Sequence, residues 1–355
     1  MKKKQKIEIS LELISKYRGS IMGLAIILIM FTHNSMVFPS YFGKINSGIR
    51  MLAQSGVDIF FLLSGLGCYY SLQSKSIKKF YQKRIVRIFC PYIVILVTFG
   101  LYRVCLRGDS FFEYLFQYGL VSFFTKAELS EWFIAAILVT YLFTPLLFKL
   151  LKYEKKFFVV LFILFYFIIA ISRIYFGNYH VYNVIVDIWF TRLPSYLLGM
   201  LIAKRISEKN NTLLSDKQIY SIIIVAVICM VITMTLFSIK FQSYWLINRL
   251  LFLPMILGVV LIFVCVLEQT KGKLLVNALK WLGGITLEIY LLHEKVLGIC
   301  DGIVKYIIHN NIFASIVSNI LAVILAVCLA KLLNLLIDRF LSRIKMSSRA
   351  LGSPR

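Results

Sequence analysis

The sequence predicts an all-α polytopic membrane protein of about ten transmembrane helices, with both termini cytoplasmic. Three observations carry this. The 355 residues are 60% hydrophobic with a mean hydropathy of +0.83. Apolar stretches recur from residue 21 to residue 337. Short Lys/Arg runs separate them.

A soluble domain is only about half apolar, so the composition requires a lipid solvent. Crossing about 30 Å of hydrocarbon takes roughly 20 apolar residues per helix. Apolar runs read against charged breaks place helices at 21–38, 52–72, 85–106, 132–151, 157–175, 183–203, 219–239, 244–267, 281–300 and 312–337. With the N-terminus inside, the cytoplasmic segments hold about 28 of the 40 Lys and Arg residues, as the positive-inside rule requires. The formal charge of +24 is therefore a topology signal, and no nucleic-acid partner is expected.

The basic run Lys2, Lys3, Lys4 and Lys6 precedes Arg18 and the first apolar stretch. No small-residue cleavage site follows, so the stretch reads as a retained helix rather than a signal peptide. Residues 1–345 form one membrane domain, and the polar, patternless residues 346–355 are expected to be a disordered tail. Seven scattered cysteines with no CxxC spacing predict neither disulfides nor a metal site. The longest outside segment, 107–131, is rich in Phe and Tyr and is expected to lie in the interface or re-enter the membrane.

An ionisable side chain at a helix centre costs about 3 kcal/mol on insertion scales. His33, Asp58, Asp187, Arg192, Arg249, Glu288, His293 and Glu294 all fall within the apolar stretches. Any one of them can be a structural cross-helix partner; several together favour a water-accessible cavity. His33 lies about 18 Å along the first helix from Ile21, in its outer half. Asp58 opens the second helix from that same side, where it would orient His33. A neutral imidazole suits deprotonation of an attacking hydroxyl, although periodicity alone does not separate His33 from His293.

At the level of motifs the chain resembles the acyltransferase-3 family of membrane acyltransferases. His33 ends a first-helix pattern similar to the family's. Gly56-Val57-Asp58-Ile59-Phe60-Phe61-Leu62-Leu63-Ser64-Gly65 resembles its second-helix signature. Lys83-Arg84-Ile85-Val86-Arg87, Trp132-Phe133-Ile134, Arg192-Leu193-Pro194 and Leu282 to His293 follow in the family's order. The resemblance implies acetyl-CoA or another acyl-CoA as donor, entering from the cytoplasm, with His33 as the catalytic histidine. It implies a hydroxyl of a surface or lipid-linked glycan as acceptor. The setting it implies is the bacterial cytoplasmic membrane; a homo-oligomer is compatible with it. In the family a basic residue often stands where this chain has Met22, and Arg18, one turn earlier, is the candidate to replace it.

Arg84 and Arg87, one turn apart, are candidates for the phosphates of CoA, with positive-inside anchoring as the alternative. Arg192 stands five residues from Asp187, the wrong spacing for a helical pair, so each is expected to face another helix. Phosphate binding or oxyanion stabilisation is the functional reading of Arg192. Trp132 is a candidate sugar platform or an interfacial anchor. Glu288 and His293 point in different directions, as supporting members of the site. Ser64-Gly65 reads as close helix packing, not as a serine nucleophile. Competing functions are a secondary transporter, for which no paired broken helices in two halves are seen, and a glycan polymerase or flippase subunit that uses no CoA.

Overall fold

The computed structural model describes residues 9–33, 43–153, 155–176, 179–209, 212–238, 244–270, 273–309 and 311–351. Lys2, Lys3, Lys4 and Lys6 lie outside the described residues, as does the side chain of Arg249. The elements are α1 (Glu12–Lys16), α2 (Arg18–His33), α3 (Gly43–Ala53), α4 (Ser55–Ser74), α5 (Ile77–Arg107), α6 (Phe111–Tyr118), α7 (Leu120–Lys126) and α8 (Trp132–Tyr153). They continue with α9 (Lys155–Phe176), α10 (His180–Ile188), α11 (Leu193–Ser207), α12 (Asp216–Ser238), α13 (Tyr244–Thr270), α14 (Lys273–Gly284), α15 (Thr286–Ile307) and α16 (Asn311–Leu351).

The expected stretches are mainly helical among the described residues; 34–38 and 239 lie outside them, 183–203 is interrupted by a 3₁₀ segment at Phe190–Arg192, and 281–300 is broken between Gly284 and Thr286. Among the described residues, seven helices or joined helix pairs are long and apolar enough to cross a membrane, and α14 with α15 makes an eighth if that pair, bent by 74°, is one span. The first and fifth expected spans correspond to α2 and α9, where the apolar described helices are shorter. The aromatic outside segment folds into α6 and α7. α16 runs to Leu351, and residues 352–355 of the expected tail lie outside the described residues.

The exterior and interior show the distribution a bilayer imposes. Large apolar side chains of α12, such as Ile224, Val227 and Val231, are exposed, whereas Asp58, Arg192, Glu288 and His293 are buried. Charge inside and hydrocarbon outside inverts the arrangement favoured in water.

Segments assigned to one side by their charge meet at one end of the bundle. The Leu11 amide donates to the Thr212 carbonyl and the Leu214 amide to that of Ile9, both at 2.9 Å. Lys16 pairs with Glu268 at 2.7 Å, and this hydrogen bond holds the exposed Lys16 ammonium above its ordinary pKa. Arg18 begins α2 at this basic end, and His33 finishes it at the other.

Glycines set the two tightest crossings. A Cβ on Gly199 would lie 1.9 Å from the Leu62 carbonyl oxygen, and one on Gly65 would lie 2.0 Å from that of Tyr196, so α4 and α11 touch backbone to backbone. Gly283 and Gly23 do the same for α14 and α2, at 1.9 Å from Gly19 O and 2.1 Å from Leu279 O. Small residues permit this approach where lipid supplies no hydrophobic drive between helices. Gly199→Ala is therefore expected to destabilise the protein by about 1–3 kcal/mol, as overpacking does. Thermal unfolding of the detergent-solubilised chain measures this, and an unchanged midpoint would contradict the contact.

Candidate functional site

At the basic end, Ser76 starts α5 by accepting a hydrogen bond from the Lys79 amide at 3.4 Å. This N-cap sets Lys83, Arg84 and Arg87 within the helix's first turns. Arg84 lies over the rings of Phe80 and Tyr141, 5.7 and 5.3 Å from their centroids. Its buried Nε has no hydrogen-bond partner among the described residues.

Arg87 is held from two directions. Its Nη2 donates to the Gly284 carbonyl at 2.9 Å, at the break between α14 and α15, where the helix end leaves carbonyls without intrahelical donors. Its Nη1 lies 3.2 Å from Glu288 Oε1, which also accepts from Asn334 at 3.1 Å. Glu288 is 1% exposed. It supports Arg87 from below.

Arg18 reaches the same space from α2. Its Nε donates to the Leu63 carbonyl at 3.2 Å, and a Cβ on Gly67 would lie 2.6 Å from its Nη2. The missing side chain at Gly67 is what lets the guanidinium lie against α4. Met22 lines the same cavity one turn further in, so the basic group has moved along the helix without leaving the site.

These residues enclose a cavity of about 510 Å³. Arg18, Lys75, Lys83, Arg84 and Arg87 line it, with no acidic side chain among the lining residues. Deeper in, the walls become Phe60, Phe133 and Tyr290. The arrangement suits a ligand with a polyanionic head and a slender, less polar arm.

Beyond Tyr290 lies a histidine pair. The Tyr290 and His293 rings are 5.8 Å apart, and His293 meets the His33 ring edge-on at 5.1 Å. His293 Nδ1 is 2.7 Å from the Tyr290 carbonyl and 3.2 Å from that of Ile289. Carbonyls only accept, so the proton sits on Nδ1 and the lone pair on Nε2. That buried Nε2 has no hydrogen-bond partner among the described residues. His33 Nδ1 lies 2.5 Å from Glu294 Oε1. The carboxylate orients the imidazole and leaves its Nε2 as the basic atom, a base held by an orienting acid.

The sequence expectation is that Asp58 orients His33; its neighbours in the fold include Ser195 and Arg192. Asp58 accepts a hydrogen bond from Ser195 at 3.4 Å and lies 3.7 Å from Arg192 Nε; the two ionic side chains are 1% and 4% exposed. The carboxylate on His33 belongs to Glu294 instead. A one-turn 3₁₀ segment, Phe190–Arg192, separates α10 from α11 and turns Arg192 inward toward α4. Arg192 thus meets a partner on another helix, as its spacing from Asp187 predicts, but it is buried in that pair and is not among the basic residues lining the cavity. Trp132 lies over the Arg192 guanidinium, 4.9 Å from its ring centroid, and packs against Phe133. Its ring is engaged as a cover for a buried charge.

Glu294 and Tyr290 are the participants that sequence reasoning passed over. Glu294 stands out only as one more ionisable group in an apolar stretch, and Tyr290 only by its place between Glu288 and His293.

His33, His293 and Glu294 form the one group among the described residues whose atoms could converge on a metal ion, all within 4.8 Å of one another. Ligands of a tetrahedral zinc at about 2.0–2.1 Å stand roughly 3.3 Å apart. The 2.5 Å contact between His33 and Glu294 is closer than two such ligands stand.

Neither a curated protein nor a solved structure matches the chain. A family model described as an acyltransferase domain matches residues 22–337, a span that runs from the cavity wall at Met22 through both histidines. That match covers nearly the whole chain, and the chain belongs to the acyltransferase-3 family of membrane acyltransferases.

Proposed function

We propose that this protein is an acyl-CoA-dependent O-acyltransferase of the bacterial cytoplasmic membrane, transferring acetyl or another short acyl group to a hydroxyl of a cell-surface or lipid-linked glycan. One observation carries the donor assignment: five cationic side chains and no anionic one line the cavity whose inner wall adjoins the histidine pair. The phosphates of CoA match the cationic mouth. The pantetheine arm matches the channel past Phe60 and Phe133 to Tyr290. The positive-inside rule puts that mouth on the cytoplasmic side.

In this reading His33 Nε2 takes the proton of the acceptor hydroxyl as its oxygen attacks the thioester carbonyl. The tetrahedral intermediate collapses with cleavage of the C–S bond, and the departing CoA sulfur recovers the proton from His33. Glu294 stays ionised and steadies the imidazolium between these steps. The lone pair of His293, beside the same ring, can accept a hydrogen bond from an incoming group.

Arg84→Ala and Arg18→Ala are each expected to weaken CoA binding about 10- to 100-fold, the worth of a hydrogen bond to a charged group. Calorimetry of the purified chain with CoA measures this. Retained affinity in the Arg18 variant would remove its substitution for the residue missing at Met22. Retained affinity in both would remove the donor assignment of the cavity. A transporter would instead move solute into proteoliposomes without CoA.

A further inference from the structure

Acyl transfer as written above uses one imidazole as base, and the reacting centre holds two. His293 is 6% exposed, whereas His33 is an exposed residue. The His293 ring stands between His33 and Tyr290, with centroids 5.1 and 5.8 Å away, and Tyr290 is part of the basic cavity's inner wall. It therefore adjoins the base on the side from which the donor arrives.

The chemistry of this ring is fixed by its own helix. Nδ1 donates to the carbonyls of Tyr290 and Ile289, at 2.7 and 3.2 Å, so Nε2 carries a lone pair and no hydrogen. Buried polar atoms are nearly always hydrogen-bonded, yet this one has no partner among the described residues. It calls for a hydrogen that a ligand brings. Phosphate, carbonyl and oxyanion oxygens have none to offer and would face the lone pair unfavourably. An N–H or O–H fits.

An acyl-CoA carries such a group near its reacting carbon. The cysteamine amide N–H is separated from the thioester carbon by an ethylene unit and the sulfur, a span comparable with the 5.1 Å between the two imidazoles. With the thioester carbon at His33, the amide nitrogen falls beside His293. An acetyl group has no hydrogen to donate, and the acceptor hydroxyl is taken by His33 Nε2. The cavity wall sharpens the choice. Arg18, Lys75, Lys83, Arg84 and Arg87 only donate, and no carboxylate lines the cavity. Ser64 and Tyr141, also in the wall, have hydroxyls that serve either way. His293 adds an atom that can only accept.

We infer that His293 Nε2 accepts a hydrogen bond from the amide N–H nearest the sulfur of the acyl-CoA, and so sets the thioester carbon against His33. The inference rests on the acyl-CoA reading of the basic cavity. No bond is made or broken at His293, and its ring stays neutral throughout. Neighbouring residues then divide the work: Glu294 holds the base and His293 holds the donor.

The test compares CoA, which carries this amide, with an analogue in which an ester replaces it, so that an oxygen stands where the N–H was. Calorimetry of the full-length chain in detergent reads both affinities for the wild type, His293→Leu and His293→Gln. CoA is expected to bind the wild type about 10- to 100-fold more tightly than the ester analogue, as loss of a hydrogen bond to a buried acceptor gives. Leucine is expected to abolish that preference, and glutamine, whose side-chain oxygen accepts, to restore part of it. The ratio is the readout because a merely structural role would weaken both ligands alike and leave it intact. Equal wild-type affinities for CoA and the ester would overturn the inference, and that comparison needs no variant to fold. So would a His293→Leu chain that keeps the full preference, since the N–H would then be recognised elsewhere. A wild type that binds neither ligand would instead remove the acyl-CoA reading of the cavity.

Discussion

His33→Ala is expected to lower acyl transfer about 10²- to 10⁴-fold, the usual worth of a positioned general base, while CoA still binds. Arg18, which lines the basic cavity, starts α2 and His33 ends its described part, about 22 Å away, so under the proposed function one substitution separates chemistry from binding. Glu294→Gln removes the charge beside the His33 ring but keeps a hydrogen-bonding group of the same size. It is expected to fall between the wild type and His33→Ala, with the loss in kcat rather than in the KM for acyl-CoA. Initial rates with labelled acetyl-CoA measure both variants. Full activity in Glu294→Gln would return the orienting role to another group. Asp58→Asn would then be the next variant to compare.

The second large effect is on stability. Arg192→Leu leaves Asp58 buried without the guanidinium that faces it. Breaking one side of a buried ion pair costs about 3–5 kcal/mol, whereas replacing both partners with apolar groups of similar volume is often neutral. The single variant is therefore expected to unfold at a clearly lower temperature in detergent, and the double variant Asp58→Leu with Arg192→Met to recover most of the loss. If Arg192 binds the donor directly, the double variant will be stable yet lose CoA affinity. If it is structural, as its burial against Asp58 and Trp132 indicates, stability and CoA affinity recover together.

Much of this molecule is written in one dimension. An apolar run sets the place of a helix whatever surrounds it, because in lipid every backbone amide and carbonyl must be satisfied within its own segment. That is why the described parts of the expected stretches are mainly helical. The second-helix Ser64-Gly65 step was likewise legible as close packing, and Gly65 does meet α11 at backbone distance. Some features needed more. The 74° bend between α14 and α15 follows Gly283 and Gly284, but glycines also occur within unbroken helices such as α4.

The sequence by itself determined that this is a helical membrane protein, which end of it is basic, and that His33 lies in the outer half of a first helix whose motif resembles the acyltransferase-3 pattern. The tertiary structure decided which carboxylate serves that histidine, assigning Glu294 and giving Asp58 to Arg192. It also brought Arg18 into the cavity beside Met22, against the bare surface of Gly67. The reason is geometric. Periodicity records where a side chain points on its own helix, but whether two side chains meet depends on how the helices cross. Here that is set by backbone contacts at Gly65, Gly199 and Gly283 and by a single bend.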